Sequence, residues 1–141
     1  MDCTFFGHAD APCTVEGKLH KTLIDCIVNK NINTFYVGNQ GRFDAMVRKQ
    51  LRLLQQDFDI QYFVVLAYRP CKKYDYEDYS DTIYPEELAC VHPRYAVAKR
   101  NEWMLQKSDY VITYVTLSVG GAAKYKALAE KKQKIVINLA E

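Results

Sequence analysis

The chain has no apolar run approaching the ~18 residues a membrane-spanning helix requires, although hydrophobic residues make up 49% of its 141 positions. Its opening residues, Met1-Asp2-Cys3-Thr4-Phe5-Phe6, carry neither a basic segment nor a long apolar one. They are therefore not read as a secretory signal. Charge of one sign is also scarce, since 19 Lys and Arg face 17 Asp and Glu for a net +2. The basic residues are spread along the helices, which speaks against a dedicated nucleic-acid face. The five cysteines (Cys3, Cys13, Cys26, Cys71, Cys90) are odd in number and contain no Cys-x-x-Cys pair. A disulfide framework and a zinc site are both disfavoured, and reduced thiols in a cytoplasmic protein are the expectation. Cys3 and Cys26 fall within apolar patterns, as small core residues do. His8, His20 and His92 lack metal-ligand spacing, so no metal is expected.

What is present is a regular alternation of strand and helix signals. Residues 3–6 form a short apolar run, and Leu19, Leu23, Ile24 and Ile27 recur at helical spacing between 15 and 29. Residues 34–37 are β-branched and aromatic, and a helix over 43–58 follows, with Phe43, Met46, Val47, Leu51 and Leu54 on one face. Residues 61–68 contain Tyr62-Phe63-Val64-Val65-Leu66, a run suited to a strand covered on both sides. After a long irregular stretch, 71–93, come a helix over 94–107, a strand over 109–115, a helix over 122–132 and a strand over 134–139. This predicts one α/β domain over 1–141, a Rossmann-like three-layer sandwich with no internal repeat and no linker. A five-stranded parallel sheet in the order 3-2-1-4-5 is expected, with a ligand crevice where the winding reverses between strands 1 and 4.

The six glycines are few, so their clustering at strand–helix corners carries information. Gly38-Asn39-Gln40-Gly41-Arg42-Phe43-Asp44 follows strand 2, and Gly120-Gly121-Ala122-Ala123 follows strand 4. Bare backbone at such a corner can approach a ligand closely, and the helix start beyond it favours a phosphate. A pure turn role stays open for both segments. Asp44 lies early in its helix, where a carboxylate suits the dipole or could bond a ribose hydroxyl. Gly7 and His8 follow strand 1 at the expected crevice, where His8 is either a structural residue or a ligand contact. Arg100 and Asn101 sit in the helix before strand 4; Arg100 is either a solvated helix residue or a phosphate-pairing fork. Trp103 and Met104 read as core.

The stretch Tyr74-Asp75-Tyr76-Glu77-Asp78-Tyr79-Ser80-Asp81 lacks the spacing and glycine of a calcium loop, so a solvated loop or an oligomer contact is expected there. Pro85-Glu86-Glu87 reads as the start of a short helix.

Taken in order, Thr4-Phe5-Phe6-Gly7-His8, Tyr36-Val37-Gly38-x-x-Gly41-x-Phe43-Asp44, Arg100-Asn101-x-x-Met104, Ser108-Asp109-Tyr110-Val111-Ile112 and Gly120-Gly121-Ala122 resemble the SLOG superfamily. The superfamily takes its name from the Smf/DprA and Lonely Guy proteins, and the resemblance is to its small stand-alone bacterial and phage members. It covers nearly the whole chain. The resemblance implies a Rossmann-like domain that binds nucleotides or nucleotide-derived ligands such as AMP, ADP-ribose, NAD or cyclic signals, often as a homo-oligomer. Such a domain acts as a sensor or sequestering protein and requires no further cofactor. By position it implies phosphate at Gly120 and Gly121, an arginine contact from Arg100, and a pocket lined by Gly7, His8, Gly38, Gly41 and Asp44.

Some relatives are hydrolases that cleave the N-glycosidic bond of nucleoside monophosphates, which makes an enzyme the alternative expectation. Those enzymes carry a glutamate where this chain has Ala127, within Val119-Gly120-Gly121-Ala122-Ala123-Lys124-Tyr125-Lys126-Ala127. Glycosidic cleavage wants a carboxylate near the breaking bond, and Asp10, Glu16 or Asp44 could replace it only if the fold brings one to the sugar. Many relatives also have an arginine where Ala9 stands. A third alternative is a structural oligomerisation module that uses the Tyr-rich loop.

Overall fold

A computed structural model describes residues 1–69 and 82–141. Its elements run β1 (Asp2–Gly7), α1 (Val15–Asn29), β2 (Thr34–Val37), α2 (Gly41–Leu54), β3 (Gln61–Val65), β4 (Thr82–Ile83), α3 (Ala96–Lys107), β5 (Tyr110–Tyr114), α4 (Gly121–Lys131) and β6 (Ile135–Asn138). Two 3-10 turns, Glu86–Leu88 and Pro93–Tyr95, lead into α3. The Tyr- and Asp-rich segment 74–81 and Cys71 lie outside the described residues.

All strand pairs are parallel, in one sheet ordered β4-β3-β2-β1-β5-β6. This corrects the expected five strands and their order 3-2-1-4-5. The addition is the two-residue β4, which pairs with Val64 and Val65 outside β3. Two residues are too few to show a period of two, so such a strand leaves no pattern of its own.

Side chains alternate across the sheet, as the pleat requires. Phe5, Phe35, Tyr62 and Ile112 face α1 and α2, where Leu19, Leu23, Phe43, Val47 and Leu51 complete one core layer. Phe6, Val65 and Val111 face the other way, against Met104, Leu105, Tyr125 and Ala129 of α3 and α4. Burying such side chains contributes about 1.5–3 kcal/mol each. Both faces of β1 and β5 are therefore dry, which explains their continuous apolar runs.

Cys3 and Cys26 are fully buried in the first layer. Burial raises the Cys3 thiol and pushes Cys26 up to about 11, so neither is a reactive thiolate at neutral pH. His20 is half-buried, with its Nδ1 2.8 Å from Gln50 Oε1 across α1 and α2. At the end of α1, Asn31 takes φ 56° and the Ile32 N–H reaches back to the Cys26 carbonyl, closing the helix without a glycine. No helix among the described residues is long and apolar enough to cross a membrane.

Candidate functional site

β1 has β2 on one side and β5 on the other, so the winding reverses there and a gap opens beyond the strand ends. That gap holds a cavity of about 270 Å³. Gly7, His8 and Ala9 line it from the β1 turn, Asp44 from α2, Arg100 and Asn101 from α3, and Gly121 and Ala122 from α4. Residues separated by more than 100 positions in sequence thus meet at one opening. Among the sequence candidates, Gly38, Gly41 and Gly120 do not line it.

Arg100 is only 3% exposed, which corrects the solvated-helix alternative. It falls on the buried stripe of α3 with Ala96 and Met104, one helical turn away on either side. Its Nη1 donates to the Val65 carbonyl at 2.9 Å and to Asn39 Oδ1 at 3.3 Å, and its Nε donates to Asn101 Oδ1 at 2.8 Å. A guanidinium has five N–H groups. Three are therefore held by neutral acceptors, and the two on Nη2 have no partner among the described residues. Burial pulls this group below its ordinary value, opposed chiefly by Asp44, but a guanidinium remains a cation in proteins.

Asp44 is half-buried near the start of α2, and its Oδ2 accepts the Gln40 N–H at 3.1 Å. Desolvation raises its carboxyl to about 6, against the pull of the Gln40 N–H, Arg100 and Arg48. Burial thus outweighs two nearby cations. A methyl group on Gly38 would lie 2.7 Å from Asp44 Oδ2 and 3.1 Å from Arg100 Nη1. The two charged groups therefore fall inside the ~4–6 Å over which opposite charges influence each other's ionisation. None of the ion pairs among the described residues joins them. Gly38 acts at one remove: its missing side chain keeps that space clear.

α4 starts at the cavity. Its N-cap, Gly120, has φ 104°, which side-chain-bearing residues rarely adopt, and it offers no side-chain cap. The first N–H groups of the helix are therefore left for solvent or a ligand. His8 Nε2 accepts the Thr116 N–H at 3.0 Å, which requires the tautomer with its proton on Nδ1. The same loop is tied at Val115 by two bonds to Asn138, each 3.0 Å. Gly7 and Gly41 do packing work: side chains there would strike the Phe43 ring at 2.3 Å and the Ala9 backbone at 2.8 Å.

Sequence reasoning missed Gln40, Val97 and Tyr125, and it placed Met104 in the core alone, although Met104 also lines the cavity. Helical spacing held the signal. Tyr125 is four residues beyond Gly121, and Val97 is three before Arg100, so each shares a face with a named candidate. Among the carboxylates proposed to replace the glutamate, only Asp44 lines this cavity; Glu16 pairs with Lys49 at 3.0 Å and borders a separate hollow. Among the described residues no group of three or more His, Cys, Asp or Glu is placed to hold a metal ion.

No protein-family model matches the chain, and no curated protein matches it.

Proposed function

We propose that this protein binds a nucleotide or nucleotide-derived ligand in the cavity at the β1–β5 switch point, as a sensor or sequestering protein. One observation carries the reading: the buried Arg100 lines the cavity at the start of α4, and its two Nη2 N–H groups have no partner among the described residues. An anion would satisfy these donors in the charge-assisted geometry that such a fork favours. The cavity volume of about 270 Å³ lies just below the ~300 Å³ at which typical small-molecule sites begin. That favours a mononucleotide-sized portion of ligand over a whole dinucleotide. The resemblance to the SLOG superfamily points to the same ligand class, and self-association belongs to the same reading. Isothermal titration with AMP, ADP-ribose, NAD and cyclic nucleotides tests it. Measurable heat with at least one is expected, and silence with all of them would refute it.

The second reading is an N-glycoside hydrolase acting on nucleoside monophosphates. It is favoured by the carboxyl of Asp44, raised to about 6 inside the same cavity, because a carboxylic acid tuned upward can serve as a general acid. Against it stands Ala127, which has no carboxyl group. Binding without release of free base separates the two readings.

A further inference from the structure

Resting on the nucleotide-binding reading, we propose that the cavity takes a phosphate monoester whose oxygen sits between Arg100 and Asp44, with one proton held between that oxygen and the Asp44 carboxyl. The geometry comes first. The space that a Gly38 methyl would occupy touches both Asp44 Oδ2 (2.7 Å) and Arg100 Nη1 (3.1 Å), and the two groups do not close on each other. Both Nη1 N–H groups are taken by Val65 and Asn39, so an oxygen that bonds Asp44 in this gap takes its second hydrogen bond from Nη2 of the same guanidinium. Arg100, whose Nη2 N–H groups have no partner among the described residues, lines the same cavity as Gly121 and Ala122 at the uncapped start of α4, so an oxyanion placed there has donors on two sides.

On the third side stands a carboxyl group. A fully ionised phosphate beside an ionised carboxylate would repel it, and neither could donate to the other. One proton removes the conflict, because an O–H···O⁻ bond between the two groups is short and strong. Which oxygen carries the proton does not matter to the balance: two ionised groups and one proton from solvent make one hydrogen-bonded pair. A phosphate monoester suits this arrangement because its second ionisation falls near pH 6. Asp44 itself is raised to about 6 by desolvation. Both groups thus take up a proton in the same pH range.

The charged and titratable groups around Asp44 are Arg48 on its own helix, Arg100 from α3, and His8 and Tyr125 from the β1 turn and α4. Arg48 and Arg100 keep their charge throughout, and Arg48 is already engaged, donating to the Gly38 carbonyl at 3.0 Å. Tyr125 is shifted upward by desolvation, away from neutral pH. His8 Nε2 is already engaged, accepting the Thr116 N–H.

The experiment is calorimetric titration of the whole protein with 5′-AMP, and with inorganic phosphate as a minimal probe, in buffers of differing ionisation enthalpy between pH 5.5 and 8. At pH 7.5 the dependence of the observed heat on buffer should report uptake of close to one proton per AMP. Affinity should fall toward tenfold per pH unit above pH 7. In Asp44→Asn the amide donates to the phosphate without titrating, so uptake and pH slope should both vanish while binding persists. AMP binding with heat independent of buffer overturns the inference and leaves the nucleotide reading standing. Proton uptake that survives in Asp44→Asn also overturns it, by assigning the proton elsewhere. Absence of heat with AMP and phosphate overturns the inference, and silence with ADP-ribose, NAD and cyclic nucleotides as well removes the reading beneath it. The wild-type measurement decides alone should the variant fail to fold.

Discussion

Asp44 and Arg100 line one cavity without touching, separated by the space that the missing side chain of Gly38 leaves open. Opposite charges this near normally draw the carboxyl below its usual range, yet Asp44 is raised to about 6. Removal from water dominates. The pair stays unclosed because Arg100 is already anchored to the Val65 carbonyl and to two asparagine oxygens.

That imbalance predicts how stability varies with pH. A carboxyl raised on folding binds its proton more tightly in the folded state, so stability falls as pH rises from about 4 to about 6. Asp44→Asn removes this contribution and can still accept the Gln40 N–H. The variant should be more stable than wild type at pH 7 by on the order of 1–3 kcal/mol. The difference should shrink to nothing below pH 4. Urea titrations of both proteins across that range provide the check, and taking the difference cancels the opposite slopes of Glu16 and Asp25, whose carboxyls are lowered.

Arg100→Met is expected to cost about 1–3 kcal/mol, because the Val65 carbonyl loses a buried donor. It should also weaken AMP binding at least tenfold and raise the Asp44 carboxyl further, since Arg100 holds it down. Arg100→Lys keeps the charge but cannot reach three acceptors at once, so its binding should resemble that of the Met variant. Denaturation midpoints and calorimetric titration measure both effects.

The glycines separate by the same logic. Gly38→Ala puts a carbon 2.7 Å from Asp44 Oδ2, and overpacking of this kind costs about 1–3 kcal/mol. Gly120→Ala strains a backbone at φ 104°, at about 1–2 kcal/mol. Gly121→Ala meets nothing within 4 Å and should leave stability within ~0.5 kcal/mol of wild type. Thermal melts of the three variants distinguish close approach, backbone conformation and open space.

Incubation with nucleoside monophosphates should leave them intact. Position 127 is an alanine on the exposed side of α4 and does not line the cavity. Chromatography of the mixture would reveal free base, and its appearance would favour the hydrolase reading, with Asp44 as the acid.

Much of the fold is readable in the chain because each core layer writes its own period. Phe5 and Phe6 point to opposite layers, and Leu19 and Leu23 repeat at helical spacing. β4 is not readable, because its pairing with Val64 and Val65 is made across the fold and not within its two residues. Gly7, His8, Asp44, Arg100, Asn101, Gly121 and Ala122 could be named from strand ends and glycine corners. The burial of Arg100 was also written there, as an arginine on the stripe of Ala96 and Met104, but such a stripe normally excludes charge. The bonds to Val65 and Asn39 that make it tolerable cross 35 and 61 residues, a distance no local pattern spans.

Arg100 hangs from the end of β3, Asp44 from the helix after β2, and Gly121 from the helix after β5. The pocket is therefore a late product of assembly: its lining runs from Phe5 to Tyr125, and it exists only once α2, α3 and α4 have all docked against β1. A chain cut before Tyr110 would lack the wall that Gly121, Ala122 and Tyr125 give the pocket. Occupancy of the pocket would raise the melting point of the domain as a unit, not of one corner of it.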